Sequence, residues 1–193
     1  MGLNGSMKQG FVRIIAGQWR SRRLKVPDVK GLRPTPDRVR ETVFNWLTPY
    51  LPGAYCLDLF AGSGALGVEA LSRGAAYVVM VDYSLEVVRL LKEELAEWKA
   101  ENAFVYRAKA PKGLKPPVQP FDIVFLDPPY NENILFPCCH FLETQGFLAP
   151  CAYIYLEARQ LIRDNELPAH WRIIKSQQAG QVFYHLAQRE LKQ

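Results

Sequence analysis

From Tyr55 onward, short apolar runs alternate with stretches whose apolar positions recur at helical spacing. Tyr55–Phe60 predicts a strand, Ala65–Arg73 a helix stopped by Gly74, Tyr77–Val81 a strand, and Leu85–Lys99 a helix capped by Ser84. Phe104–Arg107, Ile123–Leu126 and Ala152–Leu156 predict three more strands, with a helix over Leu135–Thr144 before the last. The intervening Pro111–Pro120 carries Lys112 and Lys115 and is too proline-rich for regular structure. Trp171–Ser176 and Gln181–Ala187 predict a closing antiparallel pair across Gln178-Ala179-Gly180. Strands that alternate with helices imply crossover units and a mainly parallel sheet covered on both faces. The expected fold is α/β, with a Rossmann-like, mostly parallel seven-stranded sheet and an antiparallel C-terminal strand pair. In such sheets ligands bind at the carboxyl ends of the strands, which directs attention to the loops after residues 60, 81, 107 and 127.

The first fifty residues follow a different pattern. Phe11–Ala16 and Arg22–Val26 are short β-type runs with a turn at Gly17-Gln18-Trp19-Arg20. Thr35 offers an N-cap, Pro36 suits the first helical position and Asp37 the first turn; Val39, Val43, Phe44, Trp46 and Leu47 then recur at helical spacing up to Pro49. The chain therefore divides into a leader over 1–10, an N-terminal hairpin and helix over 11–50, and the α/β body over 51–193. The opening MGLNGSM has no apolar core of a signal peptide and reads as a cloning leader ahead of a natural start at Met7.

Charge sharpens this division. The 193 residues carry a formal net charge of +5, yet residues 1–50 alone hold ten basic and three acidic side chains, and the rest is slightly acidic. A basic front end on a near-neutral body suits a polyanion partner. Cys56, Cys138, Cys139 and Cys151 form no C-x-x-C, and the three histidines are scattered, so no metal site is expected; free thiols suit a reducing cytoplasm. No apolar run approaches the length needed to cross a membrane.

The chemistry lies at the strand ends. Gly62, Gly64 and Gly67 satisfy G-x-G-x-x-G, with Asp82 twenty residues beyond Gly62. Read mechanically, that is a dinucleotide fingerprint. Asp58, however, stands at the mouth of the glycine loop, where it would repel a pyrophosphate and attract a cation. S-adenosylmethionine has a sulfonium and an ammonium, no phosphate, and ribose hydroxyls for Asp82 to accept from. The candidate cofactor contacts are Asp58, Phe60, Ala61, Gly62, Ser63, Gly64, Asp82 and Tyr83. Lys109 cannot accept a hydrogen bond from an adenine amino group, which leaves that role to the backbone at Ala108 or Ala110.

The fourth strand ends in Asp127-Pro128-Pro129-Tyr130. Two prolines fix the backbone, so the Asp127 carboxylate and the Pro128 carbonyl can converge on one exocyclic amino group. An aromatic amine is a poor nucleophile because its lone pair is delocalised. Accepting hydrogen bonds from both of its N–H groups favours pyramidalisation, and Tyr130 can stack on the base. Asp127, Pro128, Pro129 and Tyr130 are the candidate catalytic residues.

Together these motifs resemble the class I methyltransferases that act on exocyclic amines. Arg13–Arg20, Leu32–Leu47, Asp58–Gly67, Asp127–Tyr130 and Gly180–Tyr184 more narrowly resemble the bacterial RsmD family, over nearly the whole chain from Met7. That resemblance implies transfer of a methyl group from S-adenosylmethionine to the N2 amine of one guanine in 16S rRNA. It also implies a substrate already packaged with ribosomal proteins, in the small subunit or an assembly intermediate. Arg13, Trp19, Arg20, Arg22, Arg23, Arg33, Arg38 and Arg40 are the candidate RNA contacts, while Arg33 and Thr35 are also placed to close over the cofactor. The rival readings are an adenine-N6 or cytosine-N4 DNA methyltransferase, a nicotinamide-dependent oxidoreductase, and a non-catalytic RNA-binding assembly factor.

Overall fold

The computed structural model describes residues 10–27, 29, 34–129 and 133–191. The body is one seven-stranded sheet. Its strands are β3 (Tyr55–Asp58), β4 (Tyr77–Asp82), β5 (Ala103–Arg107), β6 (Phe121–Leu126), β7 (Leu148–Ala158), β8 (Trp171–Ala179) and β9 (Val182–Arg189), in the order β5-β4-β3-β6-β7-β9-β8. β5, β4, β3, β6 and β7 run parallel, and β9 pairs antiparallel with both β7 and β8. The expected fold class and closing strand pair are both present. β7 begins earlier than its apolar run suggests, and its register against β6 shifts between Phe121 and Ile123, close to where Pro150 lacks an N–H for the ladder.

Two apolar layers cover the sheet. On one face, α1 (Asp37–Leu47), α2 (Ala65–Ser72) and α3 (Leu85–Glu97) bury Val43, Phe44, Leu71, Val88 and Leu91 against Cys56, Phe125 and Tyr155. On the other, α4 (Leu135–Thr144) buries Cys138, Cys139 and Leu142 against Leu57, Leu126 and Leu156. Period-2 alternation thus sends residues 56, 125 and 155 to the α1 side, and residues 57, 126 and 156 to the α4 side. α3 starts as expected, with Ser84 Oγ accepting from Val87 N at 3.4 Å.

The N-terminal segment forms the expected hairpin of β1 (Phe11–Arg13) and β2 (Arg23–Lys25). It docks on the end of α2 through polar contacts. Ser72 Oγ accepts from Trp19 N at 3.0 Å and donates to the Ala16 carbonyl at 2.6 Å, while Gln18 N donates to the Ser72 carbonyl at 2.8 Å. Gly17 sits at φ +82°, and a Cβ there would collide with the Ser72 carbonyl, so glycine is required by both conformation and space.

The buried Glu69 carboxylate ties three elements together. It accepts from Ile15 N at 2.8 Å, from Ala16 N at 3.0 Å and from Arg73 Nε at 2.7 Å, and it faces Arg40 Nη1 at 3.5 Å. Arg40 also donates from Nη2 to the Arg13 carbonyl and to Asp37 Oδ1. Breaking a buried ion pair by removing one partner leaves an uncompensated charge in a dry site. Glu69→Ala is therefore expected to cost about 3–5 kcal/mol in urea denaturation. A loss below about 1 kcal/mol would show that this network carries no weight.

Thr35 does not cap α1. The residue flanking the helix is Pro36, no side chain caps its first turn, and the Thr35 hydroxyl points elsewhere.

Candidate active site

The site is assembled where β3, β4, β6 and β7 end. β3 delivers Asp58, and the chain then turns through Ala61–Gly64 into α2. Ala61 N donates to the Val81 carbonyl at 2.9 Å and Gly64 N to the Ala61 carbonyl at 2.6 Å, while Gly62 and Gly64 take φ of +51° and +76°. A Cβ on Gly64 would meet the tip of the Leu91 side chain, and its left-handed φ favours glycine there. Ala61, Gly62, Ser63 and Gly64 are buried, and Phe60 is half-buried.

Asp58 is buried and accepts from Gly67 N at Oδ2, 2.9 Å away. Burial pushes its carboxyl up to about 7, and Asp82 adds to this; backbone N–H groups of Gly67 and Phe60 oppose it. Asp82, at the end of β4, accepts from Gly62 N at Oδ2 (2.9 Å) and from Ser84 N at Oδ1 (2.8 Å), which pins the glycine loop to the start of α3. Burial also raises its pKa, against those two hydrogen bonds. None of the ion pairs among the described residues neutralises Asp58, Asp82 or Asp127. The strand ends gather uncompensated carboxylates, and such an acceptor set fits a cationic ligand with hydroxyls better than a polyphosphate. Tyr83 is 56% exposed beside Asp82 and offers an open aromatic face. Ala108 N donates to the Asp82 carbonyl at 3.0 Å, which ties this stretch to the end of β4, and Lys109 is exposed.

β6 pairs with β3 on one side and β7 on the other. Asp127 follows β6 directly and is half-buried; Pro128 is buried and Pro129 exposed, while Tyr130 lies outside the described residues. The Thr35 hydroxyl donates to Asp127 Oδ2 at 3.2 Å. The pKa of Asp127 stands well above the usual carboxylate range, first through burial, then through Glu157 and Asp58, with the Thr35 hydrogen bond opposing.

Glu157 is a site residue that sequence reasoning misses. Leu126 and Leu156 are register partners, so Asp127 and Glu157 occupy the next positions on neighbouring parallel strands. Asp58, Asp127 and Glu157 each lie two residues beyond a core residue of the α1-side layer, Cys56, Phe125 and Tyr155. The Tyr155 hydroxyl donates to Glu157 Oε2 at 2.7 Å. The signal in the sequence is a lone acid two residues after a tyrosine, closing the apolar run Tyr153–Leu156. The loops after residues 60, 81, 107 and 127 do not include the end of this strand.

Arg13, Arg20, Arg22, Arg23 and Arg38 are exposed on the N-terminal segment, with the Arg22 guanidinium 4.2 Å from the Trp98 ring centroid. Two expected RNA contacts are corrected. Arg40 is fully buried between Glu69 and Asp37, because its guanidinium serves as the bolt between α1 and α2. Trp19 is 8% exposed and packs edge-on against Trp98 with ring centroids 5.4 Å apart, so its indole stabilises the hairpin rather than offering a stacking face. Arg33 lies outside the described residues. Among the described residues no cluster of three or more His, Cys, Asp or Glu is arranged for a metal ion, and no helix is long and apolar enough to cross a membrane.

Comparison with known proteins matches residues 12–188 to the family described as Conserved hypothetical protein 95. The chain is 49% identical over 181 residues to Ribosomal RNA small subunit methyltransferase D of Escherichia coli strain K12, covering 94% of this chain and 91% of that protein. It is 45% identical over 186 residues to the protein of the same name from Haemophilus influenzae, covering 93% and 95%. A solved Escherichia coli structure bearing the methyltransferase designation yhhF superposes with a TM-score of 0.86 at 48% identity, over 95% of this chain and all of that one.

Proposed function

From a chain that belongs to the RsmD family of methyltransferases, we infer an rRNA methyltransferase that modifies the exocyclic N2 amine of one guanine in 16S rRNA, with S-adenosylmethionine as methyl donor. The observation that carries this reading is the pairing of β3 with β6. It sets Asp58 and its glycine loop beside Asp127-Pro128-Pro129, which supports reading the first as a cation site and the second as an amine site.

S-adenosylmethionine supplies an electrophilic methyl group for direct in-line displacement. Asp58 is the anionic partner for its charged end, the Gly62–Gly64 loop the surface it lies on, and Asp82 an acceptor for ribose hydroxyls. Both Asp82 oxygens already bind backbone N–H groups, which holds the carboxylate still without using all of its lone pairs. Asp127 and the Pro128 carbonyl accept the two N–H groups of the base amine, which localises the nitrogen lone pair toward the methyl. The nitrogen carries one proton too many after methylation, and Asp127 is the adjacent base for it. The raised pKa of Asp127 suits that task. Most of the acceleration comes from holding the amine and methyl group in line. The target base must leave its stack to reach this cleft. The exposed arginines of the hairpin and α1 hold phosphates around it, in a small subunit or assembly intermediate whose ribosomal proteins flank the target.

The pKa of Asp58 gives this reading a pH signature. A cationic ligand favours the ionised carboxylate, so binding below pH 7 releases a proton. Cofactor affinity measured by calorimetry is therefore expected to rise between pH 5 and about 7. Asp58→Asn is expected to bind more weakly and to lose that slope. An affinity independent of pH in the unmodified protein would remove Asp58 from the cofactor site. The function itself is tested by labelled methyl transfer to unmodified 30S particles, naked 16S rRNA and DNA in parallel. Incorporation into RNA substrates is expected; incorporation into DNA alone would favour the DNA-methyltransferase reading, and none into any would favour an assembly factor.

A further inference from the structure

Resting on the reading that Asp127 accepts hydrogen bonds from a base amine, we propose that Thr35 is a positioning residue for methyl transfer: its hydroxyl fixes the Asp127 carboxylate and leaves Oδ1 turned to the substrate. The contact is a donated hydrogen bond of 3.2 Å to Oδ2, spanning 92 positions of sequence. Thr35 is 7% exposed and stands between Pro34 and Pro36. Proline fixes its own φ and restricts the residue before it to extended backbone, so Thr35 is presented on a stiff three-residue strut. α1 extends from the end of that strut and is clamped to α2 by Arg40 and Glu69. Asp127 is held in the same way from the other side, by Pro128 and Pro129. Two proline-stiffened segments therefore meet at one hydrogen bond.

That bond also bears on the protonation of the carboxylate. Asp58 from β3 and Glu157 from β7 both face Asp127, and each opposes its ionisation, as burial does. The Thr35 hydroxyl works in the opposite direction. A protonated Asp127 would offer the amine one acceptor fewer and could not take up the released proton. A hydroxyl donor at this place thus both aligns the carboxylate and works against its protonation.

The test uses the full chain with Thr35→Val, which keeps the shape and removes the donor, and Thr35→Ser, which keeps the donor. Four quantities are read: kcat for RNA methylation, cofactor Kd, the acid limb of the pH–rate profile, and the Asp127 side-chain carboxyl titration by carbon-13 NMR in the ligand-free protein, assigned with Asp127→Asn. Thr35→Val is expected to lower kcat by roughly ten- to a hundredfold. It should also move the acid limb and the Asp127 titration to higher pH and leave cofactor Kd within a few-fold; Thr35→Ser should restore all of these. A Thr35→Val protein with unchanged kcat and titration would overturn the proposal, as would a serine variant no better than valine. A weakened cofactor Kd with an unmoved titration would overturn it too, by making Thr35 a cofactor contact. Because the NMR titration needs no substrate, it decides the role of Thr35 even if the wild-type protein fails to methylate guanine, an outcome that would count against the function alone.

Discussion

Asp127→Ala is expected to lower methyl transfer to rRNA by roughly a hundredfold to ten-thousandfold while leaving S-adenosylmethionine binding within a few-fold. The separation follows from the architecture. The proposed cofactor residues lie at the ends of β3 and β4, where Asp58 accepts from Gly67 N and Asp82 from Gly62 N and Ser84 N. Asp127 contributes to none of those bonds; its described hydrogen bond is with Thr35. Truncating it removes the amine acceptor and the local base together, and relieves rather than creates charge repulsion with Asp58 and Glu157. The fold should therefore survive, and a circular dichroism melt no lower than wild type is part of the expected result. Asp127→Asn keeps one carbonyl acceptor but cannot take up the proton, so its loss should be smaller than that of alanine. Near-normal turnover by Asp127→Ala, in single-turnover assays with labelled cofactor, would remove Asp127 from the chemistry.

The second large effect is expected from Arg20, Arg22 and Arg23 replaced together by alanine. All three are exposed on the hairpin, and none forms a carboxylate ion pair among the described residues. Removing one cation that neutralises a phosphate lowers the slope of log K against log salt by about 0.7–0.9, because one counterion fewer is released on binding. Removing three should flatten it by about 2–3 and weaken binding of RNA at low salt by orders of magnitude. Arg22 also stacks on Trp98 at 4.2 Å, so Arg22→Ala alone should cost stability, but only about 0.5–1 kcal/mol for an exposed cation–π pair. An unchanged salt slope in filter binding or fluorescence anisotropy would make these arginines ordinary solvated surface. Arg40 is the wrong residue for this experiment, since removing it would unlock α1 from Glu69 instead of releasing a phosphate.

The contrast between Arg22 and Arg40 shows what a sequence can and cannot reveal here. Both lie in the same basic stretch, and nothing in local charge distinguishes them. Burial of Arg40 depends on Glu69, which is in α2 and 29 positions away. Helix periodicity places Val39, Val43 and Phe44 in the core, but a charged residue beside them reads as surface because its partner is non-local. The strands, helices and carboxyl-end loops are legible because a parallel sheet writes itself as local alternation. Asp58, Asp82 and Asp127 are visible as acids at strand ends. Glu157 and the Thr35 contact are not, because both depend on register and topology: Leu126 opposite Leu156, and a strut that crosses from α1 to β6. Threonine before a helix reads locally as a cap; its hydroxyl has a stronger claim on it from a carboxylate 92 positions away.

The proposed reading of the site built from β3, β6 and the N-terminal segment has one chemical outcome, methylation of a guanine amine. Unmodified 30S particles should be incubated with the protein and isotopically labelled S-adenosylmethionine, digested to nucleosides and separated by mass spectrometry. The label is expected in N2-methylguanosine and nowhere else, at no more than one methyl group per particle. Label in N6-methyladenosine, in N4-methylcytidine, or in no nucleoside would contradict it.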